Sequence, residues 1–201
     1  MNWALRLFCR AMVVAACLAP ASGRTSAEPP IADDNGRETS PDEWELEPTT
    51  LTDTFRTLRA GPIWLSSQPG AAALLEVKQA GVTDVISLRS RRELNFDDVA
   101  LVREAGLRFQ PLRFGGHQEL TDKLLDEARR SLSAAADERQ ILLHCASGNR
   151  VGAVWIAYRV LDAGKPLAAA LNEARQIGLV DPDLRSAVVD YVRRHRDGAQ
   201  D

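Results

Sequence analysis

The chain has 201 residues, a formal net charge of -3 and an isoelectric point of about 5.7. This acidic balance excludes the broadly basic surface with which nucleic-acid-binding proteins neutralise phosphates. Hydrophobic residues make up 45% of the chain, which is enough to fill a single core. The length suits one domain of ordinary size with a tail.

The first residues have the pattern of an export signal. Arg6 and Arg10 precede a short apolar run over residues 11–21 that is rich in small side chains. This run is shorter than the roughly 20 apolar residues that a membrane-spanning helix needs. We therefore expect a signal peptide over residues 1–21 and an exported protein, periplasmic or secreted.

The three cysteines differ in their expected roles. Cys9 and Cys17 lie in the predicted signal segment, and the residues before Cys17 resemble a bacterial lipobox. A lipid on Cys17 is the only membrane anchor that we expect. Cys145 stands alone in the body of the chain, so it has no partner for an intrachain disulfide. A free thiol in an oxidising compartment indicates a function, and the alternative is a plain buried cysteine.

Residues 22–54 carry prolines, acids and small polar residues without periodicity, which predicts a disordered linker. Residues 55–197 predict a single α/β domain with a mostly parallel central sheet flanked by helices. The elements expected in chain order are a strand at 63–65, a helix at 69–80, a strand at 83–88, a helix capped by Asp97 or Asp98, a strand at 107–114, a helix capped by Thr121, a strand at 140–144, helices at 149–163 and 166–178, and a last helix capped by Asp181.

The loop after the strand at 140–144 carries the candidate chemistry, because sites in such sheets lie beyond the carboxyl ends of the strands. It reads His144-Cys145-Ala146-Ser147-Gly148-Asn149-Arg150. Unpaired amides and the positive end of the following helix stabilise an anion and a thiolate there. Gly148 permits a tight turn, and Arg150 can hold two oxygens of a tetrahedral anion. The pattern favours attack by Cys145 on phosphorus or another oxyanion-bearing centre.

Three segments resemble one protein family, in order and at suitable spacing. They are Leu65-Ser66-Ser67-Gln68-Pro69, then Ala80-Gly81-Val82-Thr83-Asp84-Val85-Ile86-Ser87-Leu88-Arg89, then His144 to Arg150. They resemble the bacterial protein tyrosine and dual-specificity phosphatase-like domains that also occur fused to metallo-β-lactamase-like hydrolases. The resemblance covers roughly residues 61–178 and implies the cysteine-dependent phosphatase-like fold. It also implies hydrolysis of phosphomonoesters, including phosphotyrosine, phosphoserine or phosphothreonine in proteins, through a cysteinyl-phosphate intermediate.

The resemblance assigns roles to the loop residues. It implies that Cys145 is the nucleophile, that Arg150 holds the phosphoryl oxygens, and that His144 orients the loop and helps to keep Cys145 ionised. The implied substrate-binding residues are His144, Ala146, Ser147, Gly148, Asn149 and Arg150. The expected partner is a phosphorylated protein or small molecule, and not a nucleic acid. No residues have metal-ligand spacing, so no metal and no cofactor is expected.

Three positions depart from the general tyrosine phosphatase pattern. The loop has four residues between cysteine and arginine rather than five, and Val151 stands where a hydroxyl residue commonly follows the arginine. Ser147 is the hydroxyl that remains inside the loop. The stretch that usually carries an acidic aspartate is Gly115-Gly116-His117-Gln118-Glu119, which contains none. His117 and Glu119 are therefore the candidate general acids, with Asp122 a further candidate.

The sequence also allows two other functions. Rhodanese-like sulfurtransferases often have the same four-residue gap between cysteine and arginine, but with an arginine where this chain has Ala146. A module that binds phosphate or phosphoproteins without turnover would keep the loop and lack the acid. Turnover of an aryl phosphate separates the phosphatase from the binding module, and thiocyanate production from thiosulfate and cyanide identifies the sulfurtransferase.

Overall fold

The structure is a computed structural model that describes residues 40–197. The predicted signal peptide, the lipidation site Cys17 and residues 22–39 of the predicted linker lie outside the described residues. The strands are β1 (Glu47–Thr49), β2 (Thr57–Ala60), β3 (Ile63–Ser66), β4 (Val82–Ser87), β5 (Arg108–Pro111) and β6 (Gln140–His144). The α-helices are α1 (Ala71–Gln79), α2 (Asp98–Glu104), α3 (Asp122–Ser133), α4 (Asn149–Leu161), α5 (Leu167–Ile177) and α6 (Pro182–Asp197). Single 3₁₀ turns at Arg91–Glu93 and His117–Glu119 follow β4 and β5. Among these residues, no helix is both long and apolar enough to cross a membrane.

The six strands form one sheet in the order β1-β2-β3-β6-β4-β5. Strands β3, β6, β4 and β5 pair in parallel, and β1 and β2 extend the sheet by antiparallel pairing at the β3 edge. The predicted mostly parallel α/β domain is therefore confirmed. The sequence does not predict β1 and β2, because strands of three and four residues are too short to show a reliable periodicity.

The core lies on both faces of the sheet. Helices α1 and α2 cover one face, and α3 to α6 cover the other. In the central strand β6, Ile141 and Leu143 face the larger core while Leu142 faces the smaller one. A strand buried on both faces reads as a continuous apolar run, which is why β6 is recognisable in the sequence.

Local capping fixes where the helices begin. Asp97 accepts hydrogen bonds from two amides of α2, Thr121 accepts one from Leu124 of α3, and Asp181 accepts two at the start of α6. These side chains satisfy amides that have no partner within the helix. Of the two candidate caps for α2, Asp97 is therefore the one used. Its neighbour Asp98 is buried and pairs with an arginine near the site.

Residues 40–54, which the sequence assigns to the linker, are ordered and belong to this domain. Besides forming β1, this segment is attached to the core by Arg159, which is buried in α4. The Arg159 guanidinium donates to the carbonyls of Pro41 and Trp44 and pairs with Glu173 of α5 at 2.8 Å. A proline- and acid-rich sequence is thus ordered by contacts with residues more than a hundred positions away, which local composition does not reveal.

We expect Arg159→Met to lower the free energy of unfolding by about 3 kcal/mol, because the Glu173 carboxylate loses its bidentate partner and keeps only the Trp155 N–H and the more distant Lys165 ammonium. Arg193→Met is the matched control, because its ion pair with Asp190 is exposed, and the loss there should stay below about 1 kcal/mol. Urea denaturation of the full chain measures both. Equal losses in the two variants would show that the Arg159 pair does not hold the segment.

Candidate active site

The carboxyl ends of the parallel strands meet at one edge of the sheet and surround the loop after β6. The amide of Cys145 donates to the carbonyl of Ser66 at the end of β3, at 3.3 Å. On the other side, the amide of Leu88 donates to the carbonyl of His144 at 2.9 Å. These contacts place the loop at the edge of the sheet where the sequence predicts it, and the loop begins where the backbone is held from both neighbouring strands.

Cys145 lies at the floor of this loop and is 1% exposed. Its Sγ accepts a hydrogen bond from the amide of Gly148 at 3.1 Å. Within residues 40–197, the other loop amides have no hydrogen-bond acceptor; they are those of Ala146, Ser147, Asn149 and Arg150. The sulfur thus lies beside a loop amide at the start of a helix, where the free amides and the helix dipole can bind an anion.

Arg150 is the second residue of α4 and is 6% exposed. Its Nη1 lies 2.6 Å from Glu93 Oε1, 2.7 Å from the carbonyl of Phe114 and 3.2 Å from that of Leu88, and its Nη2 lies 2.7 Å from Glu93 Oε2. Burial opposes the charge, but the hydrogen bonds and charges of Glu93 and Cys145 outweigh it and raise the pKa of Arg150. One edge of the guanidinium is thereby fixed, which leaves Nε–H and one Nη2–H for a bound oxyanion.

Glu93, which holds Arg150, is the main site residue that the sequence does not predict. The hydrogen bonds from Arg150 hold the pKa of the Glu93 carboxyl below its usual value, although partial burial opposes this. The turn that carries Glu93 is itself supported, because Arg89 donates to the Glu93 carbonyl at 2.8 Å. Arg113 in turn donates to the Arg89 carbonyl at 3.0 Å and to both carboxylate oxygens of Asp98 at 2.8 Å. The available sequence signal was an acid within an arginine-rich turn directly after a strand.

His144 ends β6 with its side chain almost completely buried. This burial lowers the pKa of His144 to about 4, so the ring is neutral near pH 7. A neutral ring supplies no positive charge to keep Cys145 ionised, and its buried position gives a substrate no access to it. The implied role of orienting the loop stays a prediction.

The candidate catalytic loop, residues 145–150 and called the catalytic loop from here on, packs against the end of α5 and the residues that follow it. Gly148 has φ +100°, and a Cβ at this position would overlap the carbonyl oxygen of Ile177. Asn149 Oδ1 accepts hydrogen bonds from the amides of Val180 and Asp181 at 2.8 and 2.9 Å. The side chain of Asn149 is therefore used inside the protein, while its backbone amide, through which Asn149 is predicted to bind an anion, remains on the loop.

The three candidate acids occupy different places. Glu119 accepts a hydrogen bond from the amide of Gly115 at 2.6 Å, directly after the residue whose carbonyl holds Arg150. The ring of His117 lies 3.9 Å from the Asp183 carboxylate at the start of α6. Asp122 pairs with Arg194 at 2.7 Å. Of the three, Glu119 is thus the acid whose hydrogen-bond partner, Gly115, directly follows the residue that binds Arg150.

No protein-family model and no curated protein matches this sequence. Among solved structures, Pseudomonas aeruginosa TpbA matches with 27% identity and a TM-score of 0.58, covering 75% of this chain and 89% of that one. TpbA in complex with phosphotyrosine matches with 28% identity and a TM-score of 0.55, covering 68% and 82%. Kinase associated phosphatase, with its catalytic cysteine replaced by serine, shares the fold at 13% identity and a TM-score of 0.60, covering 78% and 97%.

This chain therefore has the fold of protein tyrosine and dual-specificity phosphatases and is similar in sequence to TpbA. The implied fold is confirmed by these likenesses, and the solved structures that match are phosphatases of the kind that the resemblance implies. In this phosphatase-like protein, the roles of the individual site residues and the identity of the acid stay predictions.

We expect Gly148→Ala to weaken inhibition by vanadate and to destabilise the fold, because the added Cβ meets a backbone carbonyl that cannot move away freely. Gly164→Ala is the matched control: Gly164 has φ +67° but open space around it, so only the left-handed backbone penalty of about 1–2 kcal/mol remains. Vanadate inhibition and urea unfolding measure the two effects. If both variants bind vanadate alike, the contact with Ile177 does not shape the loop.

The lowered pKa of His144 predicts a pH dependence of stability. The unfolded ring takes up its proton near pH 6.5 but the folded one only near pH 4, so the free energy of unfolding should fall as the pH falls through this window. The decrease should reach about 3 kcal/mol and be absent in His144→Gln. Comparing urea denaturation of both proteins at pH 7 and pH 4 removes the shared carboxylate contribution; parallel profiles would contradict the prediction.

Proposed function

We propose that this protein is a cysteine-dependent phosphatase that hydrolyses phosphomonoesters through a cysteinyl-phosphate intermediate. The observation that carries the proposal is the placement of the Cys145 sulfur among loop amides and beside an arginine whose orientation is fixed. The amides and the free edge of Arg150 can bind the three non-bridging oxygens of a phosphoryl group. The phosphorus then lies in front of the sulfur.

In the first step, the Cys145 thiolate attacks phosphorus and forms an S–P bond while the P–O bond to the leaving group breaks. The charge that develops on the non-bridging oxygens is stabilised by donors already in position, which costs no reorganisation. The leaving oxygen must take up a proton unless it is already stable as an anion. We assign that proton to the Glu119 carboxyl, because its loop adjoins the Arg150 contact, with His117 as the alternative donor.

In the second step, water attacks phosphorus and the S–P bond breaks. The carboxylate left after the first step accepts a proton from this water, so the acid of one step is the base of the next. The electron pair of the broken bond returns to sulfur, which the Gly148 amide stabilises as a thiolate. Inorganic phosphate leaves, and Cys145 and Glu119 regain their starting protonation states.

The phosphotyrosine complex of TpbA supports a phosphorylated substrate for this chain. We propose phosphotyrosine-type aryl esters as substrates, on a protein or a small molecule. The predicted signal peptide adds the proposal that the enzyme acts in the periplasm or outside the cell; a lipid anchor on Cys17 is the alternative, which requires cleavage after Ala16 rather than after Ala21 or Ala27. Intact-mass measurement of protein from its native host tests both, since an unprocessed chain in the cytosol contradicts them.

We expect Cys145→Ser to abolish turnover of aryl phosphates while phosphate and vanadate still bind, because a serine hydroxyl stays protonated where a thiol ionises. Activity measurement together with isothermal calorimetry checks both halves. Retained turnover would falsify the cysteine mechanism. Binding without turnover in the wild-type chain would instead favour a phosphate-binding module, and thiocyanate formation from thiosulfate and cyanide would favour the sulfurtransferase.

Leaving-group dependence identifies the acid. If Glu119 donates the proton, Glu119→Gln should lower kcat/KM, which reports the first step, about 10²–10⁴-fold for phenyl phosphate but far less for 4-nitrophenyl phosphate, whose oxygen leaves as an anion. His117→Gln is the matched comparison and Asp122→Asn the control outside the site. A large, leaving-group-dependent loss in His117→Gln alone would transfer the role to His117.

A further inference from the structure

An arginine that the mechanism does not use lies beside the catalytic loop. Arg56 lies in the turn before β2, and its backbone is attached to the end of β3. The amide of Ser67 donates to the Arg56 carbonyl at 2.9 Å, and Ser67 Oγ accepts from the Arg56 amide at 3.3 Å. The next residue, Gln68, donates its amide to the carbonyl of Ala146 at 3.4 Å. The turn that carries Arg56 is thus fixed beside the catalytic loop.

The side chain of Arg56 reaches the contact between the catalytic loop and the loop after α5. The point that a Cβ on Gly178 would occupy lies 2.8 Å from Arg56 Nη1 and 2.8 Å from the carbonyl oxygen of Ser147. The guanidinium carbon also lies 5.4 Å from the ring centroid of Phe55, which is 79% exposed. A cation–π contact of this kind favours one position of the guanidinium, beside the loop, where Arg56 is half-buried.

The charge of Arg56 is not neutralised within the protein. Its guanidinium has neither a carboxylate partner nor a hydrogen-bond acceptor among residues 40–197. Two other arginines near the site are paired: Arg150 with Glu93, and Arg113 with Asp98. An unpaired guanidinium beside an anion-binding loop attracts negative charge and can hold a carboxylate or phosphoryl group by two hydrogen bonds.

We propose that Arg56 forms a second anion subsite, which selects phosphomonoesters whose leaving group carries another anionic group close to the scissile phosphate. The exposed Phe55 ring provides an apolar surface for the part of the leaving group between the two anions. This inference rests on the proposed phosphatase function, since that function places the scissile phosphate on the loop amides and Arg150.

Matched pairs of esters test the subsite with the full chain. The esters are 3- and 4-(carboxymethyl)phenyl phosphate, each compared with its carboxamide, because the methylene keeps the leaving-group chemistry of acid and amide similar. At low salt, the wild type should favour at least one acid over its amide by about fivefold in kcat/KM, the upper range for an exposed ion pair. The preference should decrease as salt is added.

Variants assign the preference to Arg56. It should disappear in Arg56→Gln, decrease in Phe55→Ala and persist in Arg103→Gln, which removes an exposed arginine of α2 on the other face of the sheet. Equal rates for acid and amide in the wild type would overturn the subsite. So would an Arg56→Gln variant that slows both esters by the same factor, because Arg56 would then only shape the loop.

A binding measurement separates failure of the subsite from failure of the phosphatase function. If the wild type hydrolyses none of the esters, the proposed function is wrong, and calorimetry with the Cys145→Ser chain still decides the subsite. Tighter binding of one acid than of its amide, abolished by adding Arg56→Gln, supports the subsite. Equal affinities for acid and amide in both pairs overturn it.

Discussion

A buried guanidinium that must stay charged and correctly oriented is the constraint on which the site depends. Removing such a group from water is costly unless nearby groups compensate its charge and its N–H donors. For Arg150 this compensation comes from the Glu93 carboxylate and the carbonyls of Leu88 and Phe114. These residues follow the ends of β4 and β5, so the sheet itself determines which edge of the guanidinium is left for a phosphoryl group.

The second constraint is the close approach between the backbone of the catalytic loop and the backbone at the end of α5. Gly148 and Gly178 both have φ values in the left-handed region, and each lies where a Cβ would collide with the opposite backbone. Further along α4, a Cβ on Gly152 would lie 2.8 Å from the Cβ of Leu179. The position of the catalytic loop therefore depends on how closely α4 packs against α5 and the loop that follows it. Substitutions in this remote loop reach the chemistry through backbone contact.

Much of this site is encoded locally, and that part is predictable. The apolar run of β6, the glycine in the loop and the caps at Asp97 and Thr121 are each visible within a few residues. Other parts depend on pairings between distant positions. Glu93 and Arg150 are separated by 57 residues, and no local pattern indicates that they meet. For the same reason the sequence does not predict β1, since its order depends on pairing with β2 and on the contacts of Arg159 with the same segment.

Val151 follows Arg150 at the position where tyrosine phosphatases commonly have a hydroxyl residue, and it is completely buried in the larger core. A hydroxyl at that position would lie in the apolar core without hydrogen-bond partners. The group that donates a hydrogen bond to the Cys145 sulfur is instead the amide of Gly148. A hydrogen bond to a charged sulfur favours the thiolate, and the thiolate is both the attacking group of the first step and the leaving group of the second. The backbone contact that fixes Gly148 thus supports both steps of the proposed reaction.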